Sequence, residues 1–211
     1  MNIILIRHGD PDYANDTLTA KGHEEASKLC KFLSGISIDA IYQSPNGRAK
    51  DTCKYIADIK RIEPITLEWL REVGIRRGEL YLWNAPGPVF LSGQFIPNYE
   101  TCLEADGEMP EGKAQFDKVS NGFDEIMAEF GYIKKGHLYQ VESTNNKTVA
   151  FFCHHGVIVT LLSYLLHWAL PMIFVHATID PTGLTLLTMS EHEGLAQPKM
   201  ITFNSLAHLV C

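Results

Sequence analysis

The stretch Asn2-Ile3-Ile4-Leu5-Ile6-Arg7-His8-Gly9 decides the fold of this chain. It begins as a short run of branched apolar residues, which predicts a buried β-strand, and a cation, an imidazole and a glycine follow at its end. Ligands bind at the carboxyl ends of strands in an open α/β sheet, and this combination of residues suits a phosphate group. A solvated strand end is the competing interpretation of so short a motif, so its partners elsewhere in the chain decide.

The composition favours one domain with an internal insertion, or two small domains. The 211 residues are 45% hydrophobic, which is enough for a substantial core. The formal net charge of −7 argues against a nucleic-acid partner, which would need a basic face. It does not exclude a small anionic substrate, because a few converging arginines outweigh a diffuse surface charge.

Targeting and cysteine patterns predict a cytoplasmic protein without a membrane segment. The amino terminus has the pattern of a strand and not of a signal peptide, and the longest apolar run, residues 157–170, is interrupted and too short to span a bilayer. Scattered cysteines without CxxC spacing predict reduced thiols, and neither a disulfide framework nor a zinc site. They are Cys30, Cys53, Cys102, Cys153 and Cys211.

Strand and helix patterns alternate along the first third of the chain. Thr19 is the predicted N-cap of a first helix, and a second strand is predicted over 36–43. Ser44 is the predicted N-cap of a helix over 45–58, because a proline follows it at the first helical position. A third strand is predicted over 62–67. This βαβ alternation predicts an α/β fold with a mostly parallel sheet.

The periodicity breaks after residue 74. Prolines, glycines and aromatic residues fill 74–112, which predicts a packed lid, and a helix returns over 113–130. Further strands are predicted over 138–142, 148–153, 183–190 and 199–204. The first two of these are predicted to form a hairpin through the turn Asn145-Asn146. We therefore expect a single domain over 1–211 with an inserted lid segment at about 74–136.

Chemically capable side chains follow several predicted strands at the same edge of the sheet. The strand over 148–153 ends, like the first strand, in an imidazole followed by glycine. A second arginine lies in the first turn of the helix after the second strand, and a carboxylate follows the third strand. If these strands are neighbours, one site collects Arg7, His8, Arg48, Glu72 and His155.

This set of side chains suits phosphoryl transfer to a histidine. A neutral imidazole of His8 can attack phosphorus, while Arg7 and Arg48 hold the equatorial oxygens with bidentate, permanently charged forks. His155 supplies a further donor. Glu72 can protonate the departing alkoxide and then deprotonate a water. Because cationic side chains supply the electrostatic stabilisation, this chemistry needs no metal or other cofactor.

The motifs resemble those of the histidine phosphatase superfamily, also called the phosphoglycerate mutase-like family. They are, in order, Arg7-His8-Gly9, Leu18-Thr19-Ala20-Lys21-Gly22, the stretch from Ser44 to Thr52, Leu70-Arg71-Glu72 and His155-Gly156. The resemblance extends from Met1 to Leu209 and is poor only across the insertion. It implies a three-layer α/β/α sandwich, His8 as the phosphorylated nucleophile and Glu72 as the acid and base. Arg7, Arg48 and His155 are then the phosphate ligands.

Some positions depart from the family pattern. Asp10 follows the first glycine where many members have glutamate, and it either lines the pocket or ends a turn. Asn15 is out of register with the family's asparagine and is left out of the site. His154 stands where a small hydroxylic residue is common, so it is expected to support the site from behind. His155 is assigned to the pocket because adjacent strand-end residues point apart and glycine follows it directly.

Other residues have a functional and a structural interpretation. One of Arg71, Arg76 and Arg77 can grip a second anionic group of the substrate, or all three can form a solvated face. Tyr81, Trp83 and Phe95 are expected in the core of the lid more than against substrate. The remaining histidines, His23, His137, His167, His176, His192 and His208, are expected to be surface, core or supporting residues.

We therefore expect a metal-independent phosphatase that hydrolyses a small phosphorylated substrate through a phosphohistidine. A phosphoglycerate-type mutase is the first alternative, but its members usually carry a basic insertion, whereas residues 79–111 contain no lysine or arginine. A phosphoprotein phosphatase or a non-catalytic phosphate-binding module is the second alternative. The sequence names no substrate and sets no oligomeric state.

Overall fold

Alternating strands and helices run through the described part of the chain. The computed structural model describes residues 1–77, 79–82, 86–88, 99–100 and 112–210. The strands are β1 Asn2–Arg7, β2 Pro11–Asp12, β3 Thr17–Leu18, β4 Ala40–Gln43, β5 Ile65–Thr66, β6 Arg76–Arg77, β7 Leu80–Tyr81, β8 Tyr132–Lys135, β9 Leu138–Val141, β10 Thr148–Cys153, β11 Leu184–His192 and β12 Leu195–Ser205. The α-helices are α1 Ala20–Leu33, α2 Gly47–Lys60, α3 Gly112–Glu129, α4 His155–Leu166 and α5 Leu170–His176.

The central sheet has eight strands in the order β5-β4-β10-β1-β11-β12-β9-β8. The pairs β5–β4, β4–β10 and β10–β1 are parallel, and every later pair is antiparallel. Among the described strands of this sheet, β11 and β9 run in one direction and the other six run in the opposite direction. The sheet is therefore mostly parallel in direction, and its four contiguous parallel strands form the half that carries the motifs.

Helices cover both faces of this parallel half. Ile3 and Leu5 of β1 pack into a core with α3, α4 and α5, whereas Ile4 and Ile6 pack into a second core with α1 and α2. This alternation follows from the two-residue side-chain period of a strand. The predicted three-layer α/β/α class is confirmed. The strand β10 is buried at every position, as expected for a strand covered on both faces.

The start of α2 differs from the prediction. The helix begins at Gly47 with Asn46 as its N-cap, and no side chain caps it there. The Ser44 hydroxyl instead accepts a hydrogen bond from the backbone N–H of Asn46 at 3.2 Å and contacts His154 Nε2 at 2.8 Å. The predicted cap at Ser44 is therefore wrong, because a buried imidazole competes for its hydroxyl. Thr19 does cap α1, and accepts from the Gly22 N–H at 3.1 Å.

The predicted hairpin between 138–142 and 148–153 is also wrong. The strand β9 pairs with β8 across a turn at Gly136, whose φ of 59° lies in the left-handed region that favours glycine. The strand β10 lies between β1 and β4 in the middle of the sheet. The turn prediction failed because Asn145 uses its side-chain amide to donate to Phe130 O at 2.8 Å, which ties this loop to the end of α3.

Two further boundaries differ from the predictions. The third strand, predicted over 62–67, is reduced to the exposed edge strand β5, and a short 3-10 helix, Glu68–Leu70, follows the predicted strand. The strands predicted over 183–190 and 199–204 are longer in the structure, since β11 and β12 extend to a tight turn at Glu193 and Gly194, which both have positive φ. Of the lid aromatics, Trp83 and Phe95 lie outside the described residues.

Candidate active site

The site is built where two parallel strands end side by side. Arg7 of β1 is in register with Cys153 of β10, so the residues that follow each strand meet at one edge of the sheet. The backbone N–H of His8 donates to Cys153 O at 3.0 Å and joins the two strand ends beyond the ladder. The predicted convergence of the first strand with the strand over 148–153 is therefore present.

His8 is buried, with 1% of its surface exposed, and each ring nitrogen has a distinct partner. Nδ1 lies 2.8 Å from Gly9 O, so this nitrogen carries the proton and donates it to the carbonyl. Nε2 accepts from Arg48 Nε at 3.3 Å. Burial, together with the charges of Arg7 and Arg48, lowers the pKa of His8 to about 3. The imidazole is therefore neutral at physiological pH, with the Nε2 lone pair on the arginine side.

Arg48 is held by a carboxylate that the sequence prediction missed. Its Nη1 donates to Asp16 Oδ1 at 2.6 Å, and the other oxygen of Asp16 accepts from Gly47 N at 2.8 Å. Asp16 thereby satisfies an N-terminal N–H of α2 and aligns the guanidinium in one contact set. Tyr13 lies against the same group, with Cζ of Arg48 5.4 Å from its ring centroid.

Arg7 reaches the site with a free donor. Its Nη1 donates to Ile179 O at 2.6 Å, while its Nε is buried and has no hydrogen-bond partner within the described ranges. A buried charged donor without a partner is costly, and an anion in the pocket would remove that cost. This orphaned Nε is what a site preformed for an anion presents.

His155 presents a proton to the pocket. It is the first residue of α4, and its Nδ1 accepts from the Ile179 N–H at 3.3 Å. The proton of the neutral ring must therefore reside on Nε2, which makes that nitrogen a donor. Burial and the charge of Arg7 lower the pKa of His155.

His154 points away from its neighbour and lies behind the site. It is fully buried, contacts Ser44 through Nε2, and its ring meets His8 edge-on at a centroid distance of 5.1 Å. Burial, and then the nearby His8 and arginine side chains, lower its pKa to about 2. His154 therefore packs against His8 as a neutral ring, and His155 lines the cavity, as the two sequence predictions placed them.

Glu72 reaches the site from the segment after the 3-10 helix. Its Oε1 accepts from Val73 N at 3.1 Å and from Gly156 N at 3.0 Å. Burial raises the pKa of Glu72 to about 7, in spite of these two donors and the charges of Arg48 and Arg7. A Cβ at Gly156 would lie 2.7 Å from Oε1, so this close approach requires glycine. With a pKa of about 7, the Glu72 carboxyl can either hold or release its proton near neutral pH.

Four of the predicted site residues, Arg7, Arg48, Glu72 and His155, line a cavity of about 590 Å³. His8 is buried beside Arg48 and is not among the lining residues. The cavity is lined by Arg7, Tyr13, Arg48, Glu72, His155, Phe174, Ala177 and Thr178. The sequence prediction assembled the charged members and missed the others. Phe174, Ala177 and Thr178 come from the end of α5 and the turn after it, which no motif marks.

The remaining sequence candidates lie outside this cavity. Asp10 accepts from the Thr19 hydroxyl at 2.6 Å and forms an ion pair with Lys21, so it ends a turn. Asn15 is exposed and bonds to Asp12. Arg71 is exposed and pairs with Glu68, and Arg76 covers the ring of Tyr81. His208 is buried against the Thr182 hydroxyl at 2.9 Å, and His167 contacts His137 ring to ring.

The described cysteines are free thiols, and the described residues contain neither a metal-binding cluster nor a membrane-spanning helix. Cys30, Cys53 and Cys153 are buried free thiols whose pKa is raised by burial, while Cys102 and Cys211 lie outside the described residues. Within the ranges that the structure describes, there is no metal-binding group of three or more His, Cys, Asp or Glu residues. The helices of the same ranges include none with the length and apolarity needed to cross a membrane.

The α/β sandwich brings histidine, arginine and carboxylate side chains together at its strand ends, a combination that suits a phosphate group. Residues 3–80 match the family model of the histidine phosphatase superfamily (branch 1). Over 82 residues the chain is 38% identical to the 2,3-bisphosphoglycerate-dependent phosphoglycerate mutase of Thermoplasma acidophilum. That match covers 34% of this chain and 41% of the relative, so the chain aligns with less than half of that protein's length.

Solved structures match over nearly the whole chain. A phosphoserine phosphatase variant from Entamoeba histolytica, in complex with phosphoserine, has a TM-score of 0.66 at 23% identity and covers 99% of this chain and 98% of that one. Mycobacterial glucosyl-3-phosphoglycerate phosphatase has a TM-score of 0.67 at 17% identity, covering 97% and 98%. The α-ribazole phosphatase of Shigella flexneri has a TM-score of 0.62 at 19% identity, covering 98% and 97%. The predicted resemblance to the histidine phosphatase superfamily is confirmed.

Proposed function

We propose that this chain is a phosphatase that hydrolyses a small phosphate monoester through a phosphohistidine at His8. The observation that carries this proposal is the state of the His8 ring, which is neutral and presents the lone pair of Nε2 beside Arg48. A nucleophilic nitrogen next to guanidinium donors is what in-line attack on phosphorus requires. The superfamily contains both phosphatases and a phosphoglycerate mutase among the proteins matched.

In the first step, His8 Nε2 forms a bond to phosphorus while the bond from phosphorus to the ester oxygen breaks. Arg7, Arg48 and the Nε2–H of His155 neutralise the charge on the equatorial oxygens. The protonated carboxyl of Glu72 gives its proton to the departing alkoxide. The Nδ1 proton of His8 stays on its hydrogen bond to Gly9 O, so the ring keeps one tautomer throughout.

In the second step, water attacks the phosphohistidine. The Glu72 carboxylate takes a proton from the water as its oxygen bonds to phosphorus, and the P–N bond breaks to return a neutral His8. Inorganic phosphate leaves and Glu72 is protonated again, so both groups end as they began. A carboxyl with a pKa of about 7 is suited to act as acid and then as base in this cycle.

A phosphomutase is the second candidate, because a phosphoglycerate mutase is among the proteins matched. In a mutase the phosphohistidine returns its phosphoryl group to an alcohol and not to water. The stretch over 79–111 carries no lysine or arginine to hold a carboxylated bisphosphate, which favours hydrolysis.

The test is hydrolysis of p-nitrophenyl phosphate in excess chelator, with samples quenched in alkaline denaturant and analysed for phosphohistidine. We expect stoichiometric release of p-nitrophenol and inorganic phosphate, and an acid-labile, base-stable phosphoenzyme. No release between pH 5 and 8, at any substrate concentration, would refute the phosphatase. Adding 3-phosphoglycerate as an acceptor separates the two candidates, because a mutase diverts the phosphoryl group to the acceptor and lowers free phosphate.

A further inference from the structure

We propose that the substrate is the phosphate ester of an uncharged alcohol with an aromatic body, and that a carboxylate on the alcohol is disfavoured. The proposal rests on the phosphatase function above and adds the class of leaving group. It follows from the charged and aromatic side chains that line the cavity.

Both cationic side chains of the cavity are committed to the phosphate. Among the lining residues, Arg7 and Arg48 are the cations, and each flanks His8. Arg48 donates from Nε to His8 and from Nη1 to Asp16, and Arg7 donates from Nη1 to Ile179 O. Their remaining donors are what a transferring phosphoryl group needs. Neither has capacity for a second anion at the far end of the cavity.

Among the side chains that the structure describes, no other cation lines this cavity. Of the nearby arginines, Arg71 pairs with Glu68 and Arg76 lies over Tyr81 with its Cζ 4.0 Å from the ring centroid, and neither lines the cavity. The residues outside the described ranges contain no lysine, arginine or histidine. Between residues 71 and 112, Arg77 is the one cation whose side chain the structure does not describe. An Arg77 variant is therefore tested as well.

Two aromatic side chains line the cavity beside the phosphate ligands. Tyr13, 67% exposed, lies against Arg48, and Phe174 lies against His155 with ring centroids 5.7 Å apart. Ala177 and Thr178, which are uncharged, also line the cavity. A cavity of about 590 Å³ has room for a ring system in addition to the phosphate. An aromatic alcohol buries apolar area on these two rings.

A carboxylate on the alcohol would meet an unfavourable field here. It would lose water without gaining a guanidinium partner, in a protein with a formal net charge of −7. Two of the matched structures, from Entamoeba histolytica, hold phosphoserine and 3-phosphoglyceric acid, which both carry a carboxylate. We expect this chain to differ from that phosphatase in the charge that it accepts.

The main experiment compares 4-carbamoylphenyl phosphate with 4-carboxyphenyl phosphate, which have the same shape and differ by one negative charge. The expected kcat/KM is at least about tenfold higher for the neutral ester, because the carboxylate lacks a charge-assisted partner. Equal values for the two esters would overturn the proposal. Phenyl phosphate is measured in parallel, and if none of the three is hydrolysed, it is the phosphatase function that fails.

A charge-rescue variant removes the effect of leaving-group chemistry. Thr178→Lys adds a cation at an exposed position of the cavity wall, and Gln197→Lys adds the same charge on the exposed face of β12 as a control. Thr178→Lys is expected to lower the neutral-to-anionic ratio of kcat/KM about threefold, the size of a partly exposed ion pair. The proposal is wrong if both lysine variants shift the ratio equally. It is also wrong if Arg77→Ala lowers hydrolysis of the carboxylated ester alone.

The aromatic part is tested with phenyl phosphate and methyl phosphate. Tyr13→Ala and Phe174→Leu are expected to lower kcat/KM for phenyl phosphate at least about threefold more than for methyl phosphate, since only the first substrate has a ring to pack. Phe203→Ala removes a partly exposed ring from β12 and is the matched control. An equal loss on both substrates would show that the two rings only support Arg48 and His155, and would overturn this part of the proposal.

Discussion

The segments that follow β1 and β10 carry the same dipeptide, histidine followed by glycine, and the two imidazoles hold their protons on opposite nitrogens. His8 donates its Nδ1 proton to Gly9 O, which leaves a lone pair on Nε2. His155 accepts from Ile179 N at Nδ1, which places its proton on Nε2. One backbone carbonyl and one backbone amide therefore decide which imidazole can attack phosphorus and which can donate to its oxygens.

In the proposed phosphoryl transfer, two identical side chains would therefore have different tasks. Both rings are kept neutral by burial and by the nearby arginine charges, so neither competes with the guanidiniums for positive charge. The difference lies in the hydrogen-bond partner of Nδ1 and not in pKa.

His8→Ala removes the lone pair and is expected to lower kcat more than about 10⁴-fold, because no other group can form the covalent intermediate. The measurement is labelling with a radioactive phosphoryl donor and turnover of p-nitrophenyl phosphate. His23→Ala, an exposed histidine that bonds to Tyr55, is the control. A His8→Ala protein that still forms phosphohistidine would show that the nucleophile lies elsewhere.

Glu72→Gln keeps the hydrogen bonds of the side chain but removes its proton. We expect a loss of about 10²–10⁴ in kcat for a poor leaving group and a smaller loss for p-nitrophenol, which leaves without a proton. In the unmodified protein, activity on the poor leaving group should fall as pH rises through about 7, where Glu72 loses its proton. That limb of the profile should disappear in the variant. Equal losses on both leaving groups would mean that another group is the acid.

His155→Ala removes a donor to the phosphoryl oxygens and is expected to cost about 10² in kcat. His155→Gln restores an N–H donor of similar reach, so it should recover part of the loss. If the division between the two imidazoles is right, phosphohistidine still forms in both variants, only more slowly. Absence of labelling in His155→Gln, with the fold intact by circular dichroism, would contradict it.

His154→Phe keeps a ring against His8 and removes the contact with Ser44, so we expect at most about a tenfold loss in kcat. Its larger effect concerns acid stability. Burial lowers the pKa of His154 to about 2, so below pH 6.5 the unfolded chain binds a proton that the folded chain does not. Stability therefore falls as pH drops from 6.5.

Removing that titratable group should flatten the dependence of the unfolding free energy on pH below 6.5 by up to about 1.4 kcal/mol per pH unit. Urea unfolding at pH 7, 6, 5 and 4 measures this slope, and His192→Gln, at the exposed end of β11, is the control. An unchanged slope in His154→Phe would mean that this imidazole is already protonated in the folded protein.

Much of the site followed from the sequence because its charged residues sit at the ends of patterned elements. The branched run before Arg7 and the buried run before His154 each set a strand, and adjacent parallel strands bring their ends together. The N-cap at Thr19 followed from its hydroxyl alone. These local rules place residues without knowledge of distant contacts.

The parts that were missed depend on contacts between segments far apart in the chain. Ser44 fails as a cap because His154, more than a hundred positions later, takes its hydroxyl. Asp16 holds Arg48 and α2 from a loop with no periodicity. Phe174 and Thr178 follow a short helix whose apolar residues look like core. No rule of spacing or propensity links such partners, since only the assembled sheet brings them together.

The hydrogen bond between Gly156 and Glu72 has a mechanical consequence. Gly156 follows His155 directly, so one turn of α4 carries both the donor to the phosphoryl oxygens and the anchor of the acid. Any rigid displacement of that turn shifts the two groups as one body. In the proposed mechanism, the distance between the phosphoryl oxygens held by His155 and the proton carried by Glu72 is therefore set by the peptide bond between His155 and Gly156. It does not depend on how the other cavity residues adjust to the alcohol.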